Sequence, residues 1–130
     1  MSDAVRRIRP DERTEGSATP GMTREEAVAT DRMWAGLVRT EAGMVSDWHH
    51  HGDYESAIYV LAGTIRMEFG AEGADAVEAG PGDFVYVARD AIHRESSTSD
   101  EESRFVVVRS GSGQVVFNVA HPGGGDGPTP

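Results

Sequence analysis

The sequence predicts an all-β fold, an antiparallel sandwich or barrel, and two observations carry that reading. From Met33 onward, short runs rich in branched and aromatic residues alternate with Gly, Pro and acidic turns, the texture of many short strands around one core. Within them, Thr64–Phe69 alternates cleanly, with Ile65, Met67 and Phe69 on one side and Thr64, Arg66 and Glu68 on the other. That period of two is the mark of a strand with one face in a core. A chain of 130 residues fits one domain.

Residues 1–31 are polar and weakly periodic and contain Pro10, Pro20 and Gly21. They are expected to form an extended N-terminal arm lying on the domain or on a partner subunit, with room for one or two helical turns over Thr23–Ala29. The barrel domain is expected over residues 32–120. Its strands are Met33–Thr40, Ser56–Leu61 (stopping at Ala62 and Gly63), Thr64–Phe69, a strand through Val77, Phe84–Val87, Phe105–Arg109 and Val115–Val119. The run AEGADA before Val77 and the run EAGPGD over Glu78–Asp83 read as turns. The tail over residues 121–130, HPGGGDGPTP, is too rich in Gly and Pro to pack and is expected to be disordered.

Composition removes several chemistries. Cysteine is absent, which excludes disulfides, thiolate nucleophiles and Cys-based metal sites, so any metal must be held by nitrogen and oxygen. All 12 cationic side chains are arginine, so no Lys Schiff base is available. Arginine without lysine reads as the codon usage of a GC-rich bacterial genome. The net charge of −10 argues against a nucleic-acid partner. No stretch approaches the ~20 apolar residues of a membrane span, and the N-terminus lacks the apolar core of a secretory signal. A cytoplasmic protein is the expectation.

The informative cluster is His49, His50, His51 and Glu55, with His93 at a later strand end. Imidazole is the commonest protein metal ligand, and a neighbouring carboxylate suits a hard or borderline divalent cation. In extended chain, residues two and four apart share a side. His49, His51 and Glu55 would then aim at one point while His50 faces away. A histidine on a distant strand closes such a site only if the sheet curls into a barrel. No nucleophile elbow, phosphate loop, dinucleotide fingerprint or H-E-x-x-H helix is present.

Two segments resemble the paired motifs of the cupin superfamily, G-x5-H-x-H-x(3,4)-E-x6-G and G-x5-P-x-G-x2-H-x3-N. The first runs from Gly43 through His49, His51 and Glu55 to Gly63. The second carries Pro81, Gly82, Asp83 and His93. Over residues 33–119 the chain resembles small single-domain bacterial cupins. It departs in three places. Seven residues separate Glu55 from Gly63 where the pattern has six, which predicts a bulge or shifted register. The usual Pro-Pro-Gly turn before the second-motif histidine is Ala88-Arg89-Asp90, and Ser97 stands at the closing Asn position.

The resemblance implies a double-stranded β-helix, or jelly-roll β-barrel, often homodimeric. One divalent metal (Fe, Mn, Ni, Co, Cu or Zn) would sit on His49, His51, Glu55 and His93. Two coordination positions would stay open for a small-molecule substrate, water or dioxygen. Glu55, if it detaches, is a candidate base. Tyr59, which shares its parity, and Arg94, which flanks His93, are candidate cavity residues, each with an alternative place in the barrel wall or at its rim. The implied function is a metal-dependent enzyme, with a dioxygenase favoured over an isomerase or cyclase of secondary metabolism. The alternative is a non-catalytic binding or sensing cupin with a structural metal.

Overall fold

A computed structural model describes residues 4–111 and 114–123. Most of the disordered tail expected over residues 121–130 lies outside the described residues, so only His121–Gly123 of it are placed. Among the described residues, eleven strands form two antiparallel sheets. They are β1 (Thr14–Glu15), β2 (Met22–Ala29), β3 (Met33–Thr40), β4 (His49–His50), β5 (Glu55–Ala62), β6 (Ile65–Phe69), β7 (Asp75–Ala79), β8 (Phe84–Val87), β9 (His93–Ser96), β10 (Ser103–Ser110) and β11 (Phe117–Asn118). The larger sheet has the order β1-β2-β3-β10-β5-β8 and the smaller β11-β4-β9-β6-β7. Consecutive strands β4 and β5 lie in different sheets, as do β7 and β8, so the chain crosses between layers as a jelly roll does.

Alternation decides which side chains enter the space between the sheets. In β10, Ser103, Phe105, Val107 and Arg109 point inward. In β5 the inward set is Ser56, Ile58 and Val60. Phe105 and Val60 pair across the two strands and are the centre of the core, at 2% and 0% exposure. Met67 and Ile65 meet them from the smaller sheet. The register between β10 and β5 slips by one, because Phe105 pairs with Val60 and Arg104 with Ala62, leaving Leu61 as the extra residue. This is the irregularity that the long spacing before Gly63 predicts.

The last strand is shorter than the expected Val115–Val119, covering Phe117–Asn118, and β7 takes in residues at the edges of both turns expected around Val77; the N-terminal segment departs further. Thr23–Ala29 is not helical; it belongs to β2, which pairs with β3 and carries Met22 and Arg24 into the interior. The local run Glu25-Glu26-Ala27 favours helix, but pairing with a neighbouring strand and burial of alternate side chains override so short a preference. Residues 14–29 therefore extend the larger sheet. At the other end of the motif region, the turn Ala88–Ala91 closes through the bond from Ala91 N–H to the Ala88 carbonyl. Asp90 takes a left-handed conformation there (φ 58°), and its N–H donates to the Gly52 carbonyl.

Candidate metal centre

Strands β4 and β9 are cross-strand neighbours, with His49 directly opposite His93. Direct opposition brings side chains on one face into contact, and the two ring centroids lie 4.4 Å apart. His51 follows one residue beyond β4, and its ring lies 4.9 Å from His49 and 5.1 Å from His93. All three are buried, and they offer ligand nitrogens within 4.8 Å of one another.

Each ring is oriented from behind. His49 Nδ1 meets the Asp47 carbonyl at 2.7 Å, His51 Nδ1 the Val115 carbonyl at 2.7 Å, and His93 Nδ1 the Ala91 carbonyl at 2.9 Å. A carbonyl only accepts, so each of these bonds assigns the proton to Nδ1 and leaves the Nε2 lone pair facing the shared space. His93 Nε2 is buried without a hydrogen-bond partner. A backbone carbonyl fixing the far nitrogen is the usual support of a metal-bound histidine. The donor set thus fits a divalent metal: three imidazoles, uniformly oriented, with an orphaned nitrogen at the point of convergence.

Glu55 is not part of this group. It is exposed at the start of β5, and its carboxylate accepts a hydrogen bond from the Tyr86 hydroxyl on the outer surface of the sheet. The parity rule fails because the chain is not extended between His51 and Glu55. Gly52 turns it (φ 59°) and Tyr54 N–H closes the turn on the His51 carbonyl. The turn exchanges the inward and outward sets, so Ser56 faces in and Glu55 faces out. Leaving six residues before Gly63, as the cupin pattern does, also lands on Ser56. The acidic position of the motif is a serine in this chain, and its buried hydroxyl has no partner.

The same exchange moves Tyr59 away from the cavity; it is half-buried against Phe84 on the outer face, with centroids 4.8 Å apart. Arg94 alternates with the inward residues His93 and Glu95 and so points out, pairing with Glu68 at 3.0 Å and lying over the Trp48 ring at 4.7 Å. His50 also turns away and stacks on Phe117.

Two charged residues that the sequence reading did not place here reach the site, together with Glu95, which flanks His93 beside Arg94 and reads from sequence as a rim residue or one that orients a ligand. Glu95, two residues after His93, is buried, and its Oε1 is 3.5 Å from His49 Nε2. Arg24 and Arg109 line the same interior cavity as His51, His93, Ser56 and Glu95. Glu95 and Arg109 were within reach of the alternation rule, from His93 and from Phe105 respectively. Arg24 was not, because its strand was not foreseen.

Burial pushes the His51 imidazolium pKa down to about 2, and the neighbouring Arg109, His93 and His49 charges push the same way. Burial likewise lowers His93. Both rings are therefore neutral when folded and take a proton on unfolding below about pH 6.5. The unfolded state then binds more protons, so stability falls as pH drops from about 6.5 towards the folded values. In metal-free protein His51 should cost on the order of 1 kcal/mol between about pH 6.5 and 5.5, and His93 adds to the loss in the same direction. Thermal melts of EDTA-treated protein should show the midpoint falling over that interval. A midpoint flat from about pH 7 to 5 would contradict neutral burial of these rings.

The cupin domain profile matches residues 36–109, more than half of the chain. The chain is a cupin. Solved structures agree on the fold. KdgF from Halomonas sp. superposes with a TM-score of 0.68 at 22% identity, over 82% of this chain and 93% of that one. The polyketide cyclase RemF from Streptomyces resistomycificus gives 0.73 at 20% identity, over 89% and 86%. A mutant of Bacillus subtilis oxalate decarboxylase OxdC gives 0.65 at 20% identity, over 77% of this chain and 28% of that one. No curated protein matches the chain. Among the described residues of this cupin, no helix is long and apolar enough to cross a membrane.

Proposed function

We propose that this cupin is a metal-dependent enzyme of the cytoplasm that isomerises or cyclises a small organic substrate. The observation that carries the proposal is the convergence of three carbonyl-oriented histidines on a buried point beside one carboxylate, Glu95. Three imidazoles would hold a divalent metal (Fe, Mn, Ni, Co, Cu or Zn) and leave coordination positions open, where the bound metal supplies Lewis acidity towards a carbonyl or enolate oxygen. Glu95 lies beside the histidine group without being needed to complete it, and moves a proton to or from the substrate carbon or oxygen next to His49. His49, His51 and His93 orient; the apolar wall of Ile58, Met67 and Val107 excludes water.

The sequence argument for a dioxygenase rested on a glutamate ligand at Glu55. With that residue on the outer surface, the redox-neutral reactions of the family suit the site better, and the fold likeness to a polyketide cyclase is consistent with them. The test is an open coordination position. Cobalt-substituted protein should change its visible spectrum on addition of azide, because a catalytic site exchanges a ligand. An unchanged spectrum in cobalt-loaded protein would support the binding or sensing alternative, with a closed structural metal.

The proposal includes a homodimer. The outer face of the larger sheet exposes Phe84 at 74% and Tyr86 at 64% on its edge strand β8, next to Tyr59, and Val108 at 40% on β10. Such a patch is costly in water, and a second copy related by a two-fold axis covers it with the same patch. Light scattering should give twice the chain mass at micromolar concentration, and Phe84→Glu should halve it. A monomeric mass at high micromolar concentration would reject the dimer.

A further inference from the structure

The cavity beside the histidines holds more positive charge than the residues around it neutralise. Arg24 and Arg109 are both buried, at 4% and 6% exposure, and they reach the same interior space from β2 and β10. The Nε of each is buried without a hydrogen-bond acceptor. Arg24 is tied down on one side, where its Nη1 donates to the Ser17 carbonyl and the Thr19 hydroxyl at 3.1 and 3.2 Å. Arg109 is held with its guanidinium 5.2 Å from the centre of the Trp34 ring. The carboxylate acting on both is Glu95. Two guanidiniums against one carboxylate leave an excess positive charge, and a metal on the histidines would add to it.

Buried charges are paired, and buried donors are satisfied, in the great majority of folded proteins. A guanidinium is the side chain best shaped to receive a carboxylate, through two parallel N–H bonds. Burial and then the Arg24 charge push Arg109 down to about 10, the direction of a cation lacking its anion.

We infer that Arg24 and Arg109 form a carboxylate-binding site beside the three histidines, so that the substrate is an organic acid. The inference rests on the enzymatic reading above and names its substrate class. Space supports a division of the ligand. The inner cavity, about 20 Å³, has room for little more than a water or an acid head group. A second cavity of about 190 Å³ shares Arg24 and Glu95 with it and is walled by Thr19, Pro20, His49 and Asn118. The acid group enters the first and the body of the molecule fills the second. The β2 strand and the residues before it are thus part of the site, since Arg24 joins Thr19 to the cavity.

The test uses acetate, its neutral isostere acetamide, and phosphate, at constant ionic strength, on EDTA-treated full-length protein, with the Trp34 indole N–H followed by NMR. Acetate should shift that resonance saturably, while acetamide should not. Arg109→Gln and Arg24→Gln should each weaken acetate at least tenfold, and Arg109→Lys should restore part of the loss. Equal responses to acetate and acetamide would overturn the inference. So would acetate affinity unchanged in folded variants, or acetate binding that appears only on metal loading and survives both substitutions. Phosphate binding more tightly than acetate would overturn the carboxylate assignment. Because the first comparison needs only the natural sequence, poor folding of a variant does not remove the test. Failure of metal binding with acetate binding intact would sink the enzymatic reading and leave the anion site standing.

Discussion

His51→Ala or His93→Ala protein should retain less than about a tenth of the metal that the unaltered chain retains after identical dialysis, whereas His50→Ala and Glu55→Gln should retain all of it. The unaltered chain should carry up to about one divalent ion per chain. The asymmetry follows from the alternation that turns His50 away from its neighbours and from the turn at Gly52 that puts Glu55 on the outer face. His51 and His93 bring buried imidazoles to one point, and removing either leaves two nitrogens, too few to compete with water for a divalent cation. His50 is stacked on Phe117, and Glu55 is engaged with Tyr86 on the far side of β5. Loss of a supporting contact to a ligand typically costs 10–100-fold in affinity, so loss of the ligand itself should cost more. Elemental analysis after dialysis against a weak chelator reads the outcome directly. If Glu55→Gln empties the site as thoroughly as His51→Ala, Ser56 is not the inward residue at the start of β5. A metal content near zero in reconstituted unaltered protein would remove the enzymatic reading altogether.

The contrast between Glu55 and the histidines also marks where the sequence could and could not be read. Strands β3 and β8 have the bounds that their hydrophobic runs predict, Met33–Thr40 and Phe84–Val87, and β5 runs one residue further at each end than Ser56–Leu61. These are segments where branched and aromatic residues meet clear turn signals, so local and tertiary preferences agree. The pairing of His49 with His93 was implied by the motifs, and the fold realises it as a cross-strand pair.

Parity arguments hold within a strand and fail across a turn. His49 and His51 stay on one side because little chain lies between them, but Gly52 and Asp53 bend the backbone before β5 begins. The surplus residue between Glu55 and Gly63 was the visible sign. It predicts a bulge or a shifted register, and a bulge is present at Leu61. The same surplus also marks Ser56, one residue later, as the inward position. The arginines were missed for a different reason. Arg109 follows Phe105 and Val107 at the inward period of β10, but a charge in that phase looks like a strand running out into solvent. Arg24 lies in a segment whose Glu-rich neighbours hide its strand, and only pairing with β3 reveals which way it points.

Gly63→Ala should destabilise the protein by on the order of 3 kcal/mol, with the melting midpoint falling by roughly 10 °C. Gly43→Ala should cost no more than about 1 kcal/mol. Both glycines adopt a left-handed backbone, with φ of 78° and 75°, so the strain of placing a side chain there is common to the two. They differ in what the new methyl meets. At Gly43 nothing lies within 4 Å, whereas at Gly63 the Cβ would stand 2.1 Å from Ser103 Oγ and 2.8 Å from Ser103 Cα. Ser103 cannot move aside cheaply. It is fully buried, and its hydroxyl receives the Thr64 N–H and donates to the Thr64 carbonyl, both at 3.1 Å. Those bonds fasten the turn between β5 and β6 to the end of β10, beside the Leu61 bulge that sets the register of β5. A shift there propagates along β5 to Ser56, at the cavity wall. Thermal melts of the two variants, run on metal-free protein so that ligand binding does not mask the difference, separate the clash from the strain. Equal losses at Gly63 and Gly43 would mean that the close approach to Ser103 contributes nothing to the requirement for glycine.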